Sequence, residues 1–463
     1  MKNKIIIFGL LGIIVILLGG IFLLINTPQK AVTVSTVEIP KEEINPEVWG
    51  QKYPDNYDSY LKNYEGGIGE SKYKGSENFS RLDSWPFQYV LYDGWGMGID
   101  YTESRGHTLA LIDQLEIDDS RKAAGGVCLT CKSPYVPELV ETMGEDYFSL
   151  DYYKVYNEIP EEGNTIGVAC IDCHNSEDMS LNLSRWTVRE GLEKLGKDPD
   201  NLTRQEERSA VCAQCHVTYS IPKNSEGKSI DLIFPWDDSQ WENITIENIE
   251  KTIEENQLYE WTHKITGMRM GHIRHPEFEL FSNNSTHWAA GLSCADCHMP
   301  YERVGNTKIT THHWTSPLKQ DLKACMQCHN YTKDELKERI FYIQDRVNHL
   351  LTKAGFAAAQ AAKAIEFANE TEGIDEELLN KAKEYYRKAY YRVTFVTAEN
   401  SMGFHNPEEA MRVLSDGLDY ARKSEMTTRE ALLKAGVTPP KEFDLELERY
   451  NYNPELNKEA TLD

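Results

Sequence analysis

The chain has 463 residues and a formal net charge of −25, with 40% hydrophobic and 27% charged residues. That length can bury a large core with two or three packed subregions, and the composition is that of a soluble globular protein. The acidic balance excludes nucleic acid as a partner, because phosphate binding calls for a basic surface; it suits solubility or a basic protein partner.

Residues 1–26 read as an N-terminal membrane anchor. Met1-Lys2-Asn3-Lys4 is basic, and Ile5 to Ile25 is an unbroken run of 21 apolar residues and glycines. A helix needs ~20 such residues to cross a bilayer. No small-x-small site follows in Asn26-Thr27-Pro28-Gln29-Lys30, so an uncleaved anchor is expected over a cleaved signal. Lys2 and Lys4 on the short side put the rest of the chain outside the cytoplasm, in the periplasm or on the outer face of the membrane.

Residues 27–75 are polar and read as a tether and lead-in. Residues 76–330 form the chemical region: an aromatic segment (Trp85, Phe87, Tyr89, Tyr92, Trp95), a helical run over Thr108–Leu115, and then all ten cysteines. Residues 220–262 are a cysteine-free insert within it. From 331 to 440 the texture is helical. Asp334–Lys363 carries Ile340, Ile343, Val347, Leu350 and Leu351 at helical spacing, and further runs lie near Glu376–Ala398 and Pro407–Ala435. Pro439-Pro440 ends the helices and 441–463 is a polar tail.

Every cysteine lies in a Cys-x-x-Cys pair: Cys128/Cys131, Cys170/Cys173, Cys212/Cys215, Cys294/Cys297 and Cys325/Cys328. The last four pairs are followed at once by His174, His216, His298 and His329, the attachment pattern of haem c. Two thiols bond the vinyl groups on one porphyrin edge, and the next side chain falls under the ring within reach of iron. A disulfide framework requires no histidine after each pair. Structural zinc would need the pairs to combine in twos, leaving one over.

The first pair ends in Lys132 instead. It is either a degenerate pair or a haem whose proximal ligand is an amine. An amine binds iron only when neutral, so burial would have to depress its pKa. A haem with an odd proximal ligand and a free distal side is a catalytic site, whereas bis-histidine haems are closed and carry electrons. Nine histidines remain as distal candidates: His107, His263, His272, His275, His287, His312, His313, His349 and His405. Counting alone does not choose among them.

Cys-x-x-Cys-Lys followed by four Cys-x-x-Cys-His motifs resembles the pentahaem ammonia-forming cytochrome c nitrite reductases. The likeness runs from about residue 76 to 435. It includes Arg105-Gly106-His107, Cys212 to Tyr219, His275-Pro276-Glu277, Cys294 to Pro300 and Gly403 to Glu409. The resemblance implies a mainly α fold with a haem-packed core and long C-terminal helices that form a homodimer interface. It implies five covalently attached haem c groups. His107 would be the distal ligand of the third haem, His312 (alternative His313) of the second, His405 of the fourth and His287 of the fifth. Over the haem at Lys132 the active site would be Tyr219, His275 and an arginine, Arg121, with Arg105 the alternative.

Such a site would reduce nitrite to ammonium with six electrons. The guanidinium would hold the anion, and imidazole and phenol would supply protons. The expected donor is a membrane-associated, quinol-oxidising multihaem cytochrome. The alternatives are a non-enzymatic electron conduit, or a reductase acting mainly on hydroxylamine or sulfite. Many relatives bind calcium beside the active site through a glutamate before the tyrosine and a Lys-x-Gln pair. Here those positions are Thr218 and His272-Ile273-Arg274. Calcium wants several oxygen ligands including carboxylate, so it is not expected, and Arg274 is expected to stand in its place.

Overall fold

The computed structural model describes residues 37–65, 71–450 and 452. The expected anchor at 5–25 lies outside them, as do part of the tether and most of the tail. Among the described residues no helix is long and apolar enough to cross a membrane.

The chain is mainly α-helical. Sheet among the described residues is limited to two antiparallel hairpins: β1 (Trp261–Thr262) with β2 (Arg269–Met270), and β3 (Tyr301–Val304) with β4 (Thr307–Thr310). Three long helices end the fold: α1 (Lys333–Asn369), α2 (Glu376–Thr397) and α3 (Pro407–Lys434).

Local chemistry sets their starts. The Thr332 side chain accepts from the Glu335 amide and the Glu335 carboxylate accepts from the Thr332 amide, closing both ends of a capping box. Asp375 and Asn406 cap α2 and α3, with Pro407 in the first turn of α3. α1 runs six residues beyond the expected Lys363, because Ala364, Ile365 and Ala368 continue its buried face.

That face is built of small residues. Ala354, Ala358, Ala359, Ala361 and Ala362 are fully buried and let the helix axes approach closely. Gly355 lies against Phe87, and a Cβ there would meet the ring at 2.5 Å. α2 answers with large residues, Tyr386, Tyr390, Tyr391 and Phe395, all buried. Each such burial contributes about 1.5–3 kcal/mol. Enlarging Ala361 to leucine would overpack the seam at a cost of about 1–3 kcal/mol.

The cysteine-free insert docks on this bundle. Its helix Ile246–Glu255 buries Ile246, Ile249 and Ile253. The intervening acids face α2: Glu247 and Glu250 pair with Arg392, and Glu254 pairs with Arg387. This places β1 and β2, and hence Glu260 and Arg274, beside Trp95. The turn joining α2 to α3 carries Glu399, Asn400 and His405 back toward the cysteine motifs.

Candidate haem-binding cavity and active site

Each attachment motif folds into one tight turn. The amides of His174, His216 and His329 donate to the carbonyls of Cys170, Cys212 and Cys325 at 2.8–3.0 Å, and residues Cys294–His298 form a single helical turn. The turn puts both sulfurs and the following side chain on one side. Lys132 sits in a tighter version, its amide donating to the Leu129 carbonyl at 2.7 Å. None of the ten thiols is in a disulfide.

The motifs open onto one cavity of about 2500 Å³. Divided by five motifs this is about 500 Å³ each, within the range of pockets that hold large organic ligands. Its walls include Lys132, His174, His216, His298 and His329, and nine of the ten cysteines, Cys170 being the exception. His107, His287, His312 and His405 also line it, whereas His263, His272, His313 and His349 do not.

The histidines face one another in pairs. Ring centroids are 5.7 Å apart for His107 and His216, 6.0 Å for His174 and His312, 6.2 Å for His298 and His405, and 6.3 Å for His287 and His329. Two imidazoles on opposite sides of one metal, each bonded at about 2.0 Å with about 1.1 Å from nitrogen to ring centre, have centroids about 6.2 Å apart. The pairs therefore fit a metal between them.

Four of the eight have a close partner at Nδ1, whereas Nδ1 of His107 is buried with no hydrogen-bond partner among the described residues. Nδ1 of His174, His298 and His312 lies 3.0 Å from the carbonyls of Met179, Thr315 and Thr310, and Nδ1 of His405 lies 2.7 Å from Glu399 Oε1. Tying down Nδ1 leaves Nε2 for a ligand's work. His263 differs: its Nδ1 meets Thr266 and its Nε2 meets the Val90 carbonyl, both at 2.8 Å, so both nitrogens serve packing. His313 lies off the cavity wall, in a surface hollow with Leu318 and Gln320.

Arg121, Tyr219, His275 and Lys132 all line the cavity. Arg121 donates to the Asp100 carbonyl at 2.8 Å and lies over the Tyr101 ring; no ion pair to it is found among the described residues. Arg105, the alternative, is bound by Asp113 at 2.5 Å and Glu116 at 2.7 Å. Lys122, next to Arg121, caps the helix Ala110–Glu116 by donating to the carbonyls of Gln114, Leu115 and Ile117. The Cys128 thiol is pushed up to about 11 by burial, with Arg274 and Arg121 pulling the other way, which puts both guanidiniums within electrostatic reach of the first motif.

Tyr219 is enclosed, and burial pushes its phenol up, so it stays protonated across the working pH range. Arg274 lies over its ring at 4.7 Å and over Trp95 at 5.2 Å. The same guanidinium donates to the Tyr219 carbonyl at 3.1 Å and grips Glu260 with two bonds of 2.7 and 2.5 Å. The Arg274 amide donates to Thr218 Oγ1 at 3.2 Å. Arg274 is thus buried and charge-matched.

His275 adopts φ 44°, a left-handed conformation uncommon outside glycine and disfavoured before proline. Its Nδ1 is buried without a hydrogen bond. Glu277 lies 3.9 Å from that nitrogen and 3.8 Å from Nδ1 of His216. Burial opposes the charge of Glu277, yet the two imidazoles hold its carboxyl well below the usual range. Two residues on, Glu279 is fully buried and accepts from the Thr218 amide and Trp236 Nε1, both at 2.9 Å. Burial pushes its carboxyl up to about 8.

Glu260, Glu277, Glu279, Glu399, Asn400 and Trp95 were not singled out in the sequence as site residues. For Glu277 and Glu399 a signal existed, since each lies within six residues of a cavity histidine. Glu260 had none, because its partner arrives through the β1–β2 hairpin.

The chain matches the cytochrome c552 family over residues 45–462. It is 33% identical to the cytochrome c nitrite reductase subunit NrfA of Nitratidesulfovibrio vulgaris, over 86% of this chain and 81% of that protein. It is also 33% identical to a cytochrome c-552 of Bacteroides fragilis, over 89% of this chain and 83% of that one. Among solved structures it resembles the cytochrome c nitrite reductase catalytic subunit of Desulfovibrio desulfuricans. There the TM-score is 0.78 with 31% identity, covering 86% of this chain and 89% of the other, and two calcium sites are described in that structure.

Proposed function

The chain belongs to the cytochrome c552 family, whose relatives here include cytochrome c nitrite reductases, and from that premise we propose that it reduces nitrite to ammonium at the cavity wall around Lys132. The family implies covalently bound haem c. Five groups would be held by the five cysteine pairs. Four would be closed by His216 with His107, His174 with His312, His298 with His405, and His329 with His287. The fifth would take Lys132. When bound, these haems would relay, one at a time, the six electrons that nitrite needs from an external donor. The observation that carries the reading is the set of four imidazole pairs at 5.7–6.3 Å in a cavity whose wall also holds the unpaired lysine motif, Arg121, Tyr219 and His275.

The side chains divide the remaining work. Arg121, in no ion pair among the described residues, binds the anionic substrate and stabilises departing oxygen. Tyr219 donates from a phenol that burial keeps protonated, and His275 provides a second proton route at its ring nitrogens. Arg274 is a positioning residue for Tyr219. It occupies the place where a calcium ion is expected in relatives, and Glu260 balances its charge. Paired with Glu260, Arg274 adds no net charge to draw anions into the pocket, and that task falls to Arg121.

The wider reading has an extracytoplasmic enzyme, anchored through residues 5–25, that takes electrons from a quinol-oxidising multihaem cytochrome. It pairs through its long helices. Exposed Phe367 on α1, and Met426 and Leu433 on α3, support an interface on these helices.

The test is spectroscopic and catalytic. The purified holoprotein should show one high-spin ferric haem whose signal changes on adding nitrite, and should release ammonium stoichiometrically. Faster turnover of hydroxylamine or sulfite would redirect the substrate assignment. An all-low-spin spectrum with no turnover would leave an electron conduit.

A further inference from the structure

Glu277 stands between two imidazoles with different tasks in the reading above. Its Oε2 is 3.8 Å from Nδ1 of His216, and its Oε1 is 3.9 Å from Nδ1 of His275. Both separations exceed a hydrogen bond. Yet Glu277 Oε2 and His275 Nδ1 are buried atoms without a hydrogen-bond partner. Leaving such groups unpaired costs about 1–3 kcal/mol each, so a small ring rotation or a bridging water that joins them is favoured.

The carboxylate is itself held in place. The Asn400 amide donates to Oε1 at 3.2 Å and Asn400 Nδ2 donates to it at 2.6 Å. Asn400 Oδ1 in turn accepts from Arg81, which also pairs with Glu103. The backbone locks the same group, since the Phe278 amide donates to the His216 carbonyl at 3.1 Å. His216 and His275 have ring centroids 6.3 Å apart, but Glu277 lies at Nδ1 of both. Glu277 thus lies on the Nδ1 side of both rings.

The other cavity histidines set the comparison. Nδ1 of His174 and His298 is met by a neutral carbonyl. Of the eight proposed iron-ligating histidines, only His216 and His405 have a carboxylate at Nδ1 among the described residues, Glu277 and Glu399 respectively. A carboxylate behind a ligating imidazole makes it a stronger donor and favours the oxidised metal, whereas a carbonyl does so weakly.

We propose that Glu277 is a shared positioning residue: one carboxylate orients the iron-ligating His216 of the third motif and the active-site His275, so that electron supply and proton supply are set by the same group. This rests on the proposed roles of His216 and His275. Glu399, which faces His405 alone, is the single-purpose counterpart.

The experiment uses holoprotein carrying Glu277→Gln, Glu399→Gln or Asn400→Ala, each checked for haem content. Potentials are read by spectroelectrochemical titration with electron paramagnetic resonance, and turnover by nitrite kinetics. Glu277→Gln should raise the midpoint potential of one low-spin haem and lower kcat at least ~10-fold with KM little changed, since His275 would be misaligned rather than lost. Glu399→Gln should raise the potential of a different haem. Asn400→Ala loosens Glu277 without removing it, and should reproduce both effects of Glu277→Gln in smaller measure. Unchanged potentials in Glu277→Gln overturn the proposal, as does a shifted potential with unaltered kcat. If Glu277→Gln fails to load haem, Asn400→Ala decides, and wild-type values in both readouts overturn the idea. Absence of nitrite turnover by the wild type would instead defeat the functional reading, before any variant is compared.

Discussion

Replacing Arg274 by methionine tests the calcium-free pocket most directly. The side chains of Arg274 and Glu260 are only 8% and 5% exposed, so the pair belongs with buried rather than surface ion pairs. Removing the arginine strands the Glu260 carboxylate, which has no other cation within ion-pair distance among the described residues, and loses both bonds of 2.7 and 2.5 Å. Breaking a buried pair from one side costs about 3–5 kcal/mol. Glu260→Met should cost less, about 2 kcal/mol, because Arg274 keeps the Tyr219 carbonyl and two aromatic faces. The double variant removes both charges and should cost about 1 kcal/mol, giving a coupling of several kcal/mol. Denaturant unfolding of the holoprotein, followed by Soret circular dichroism in calcium-free buffer, measures all four corners. A double variant as unstable as the sum of the singles refutes a stabilising pair, and stoichiometric calcium in the wild type whose removal destabilises it refutes the arginine as calcium's replacement.

Chelation of the wild type should leave nitrite turnover unchanged, with metal analysis finding no stoichiometric calcium. Arg121→Gln should lower kcat/KM for nitrite by about 10- to 100-fold, the equivalent of one charge-assisted bond to an anion, while Arg105→Gln should leave it within a few-fold. Glu279 predicts a pH effect on stability. Its folded pKa of about 8 lies above the ordinary 4.5, so the folded state keeps a proton that the unfolded chain releases. That contribution is full below pH 4.5, falls as pH rises toward 8 and levels off beyond, a change of a few kcal/mol by order of magnitude. Glu279→Gln should flatten stability over this window, as read by denaturation at stepped pH.

The attachment motifs and the helices were legible in the sequence because their signals are local. A cysteine and the next residue but three belong to one turn, and apolar residues at helical spacing mark α1 with only its end misplaced. The partners that fix the site's carboxylates were not legible, for a physical reason. Asn400 reaches Glu277 across 123 residues, and Arg274 meets Glu260 only because the Ile246–Glu255 helix docks on α2. Spacing cannot show a partner that tertiary packing delivers. The contrast between Arg105 and Arg121 was hidden in the same way: both are arginines near His107, and only the fold reveals which one acids have already claimed.

The turn between α2 and α3 bears on how the molecule is made. All five attachment motifs are complete by His329, whereas His405, Asn400 and Glu399 come from a helical hairpin that begins at Glu376. A chain emerging from its N-terminus exposes every cysteine pair before that hairpin exists, and closing contacts over such separations is slow. Cofactor attachment thus has an open chain to work on. The hairpin then arrives as a late clasp, completing the histidine set and fixing Glu277 in one docking event.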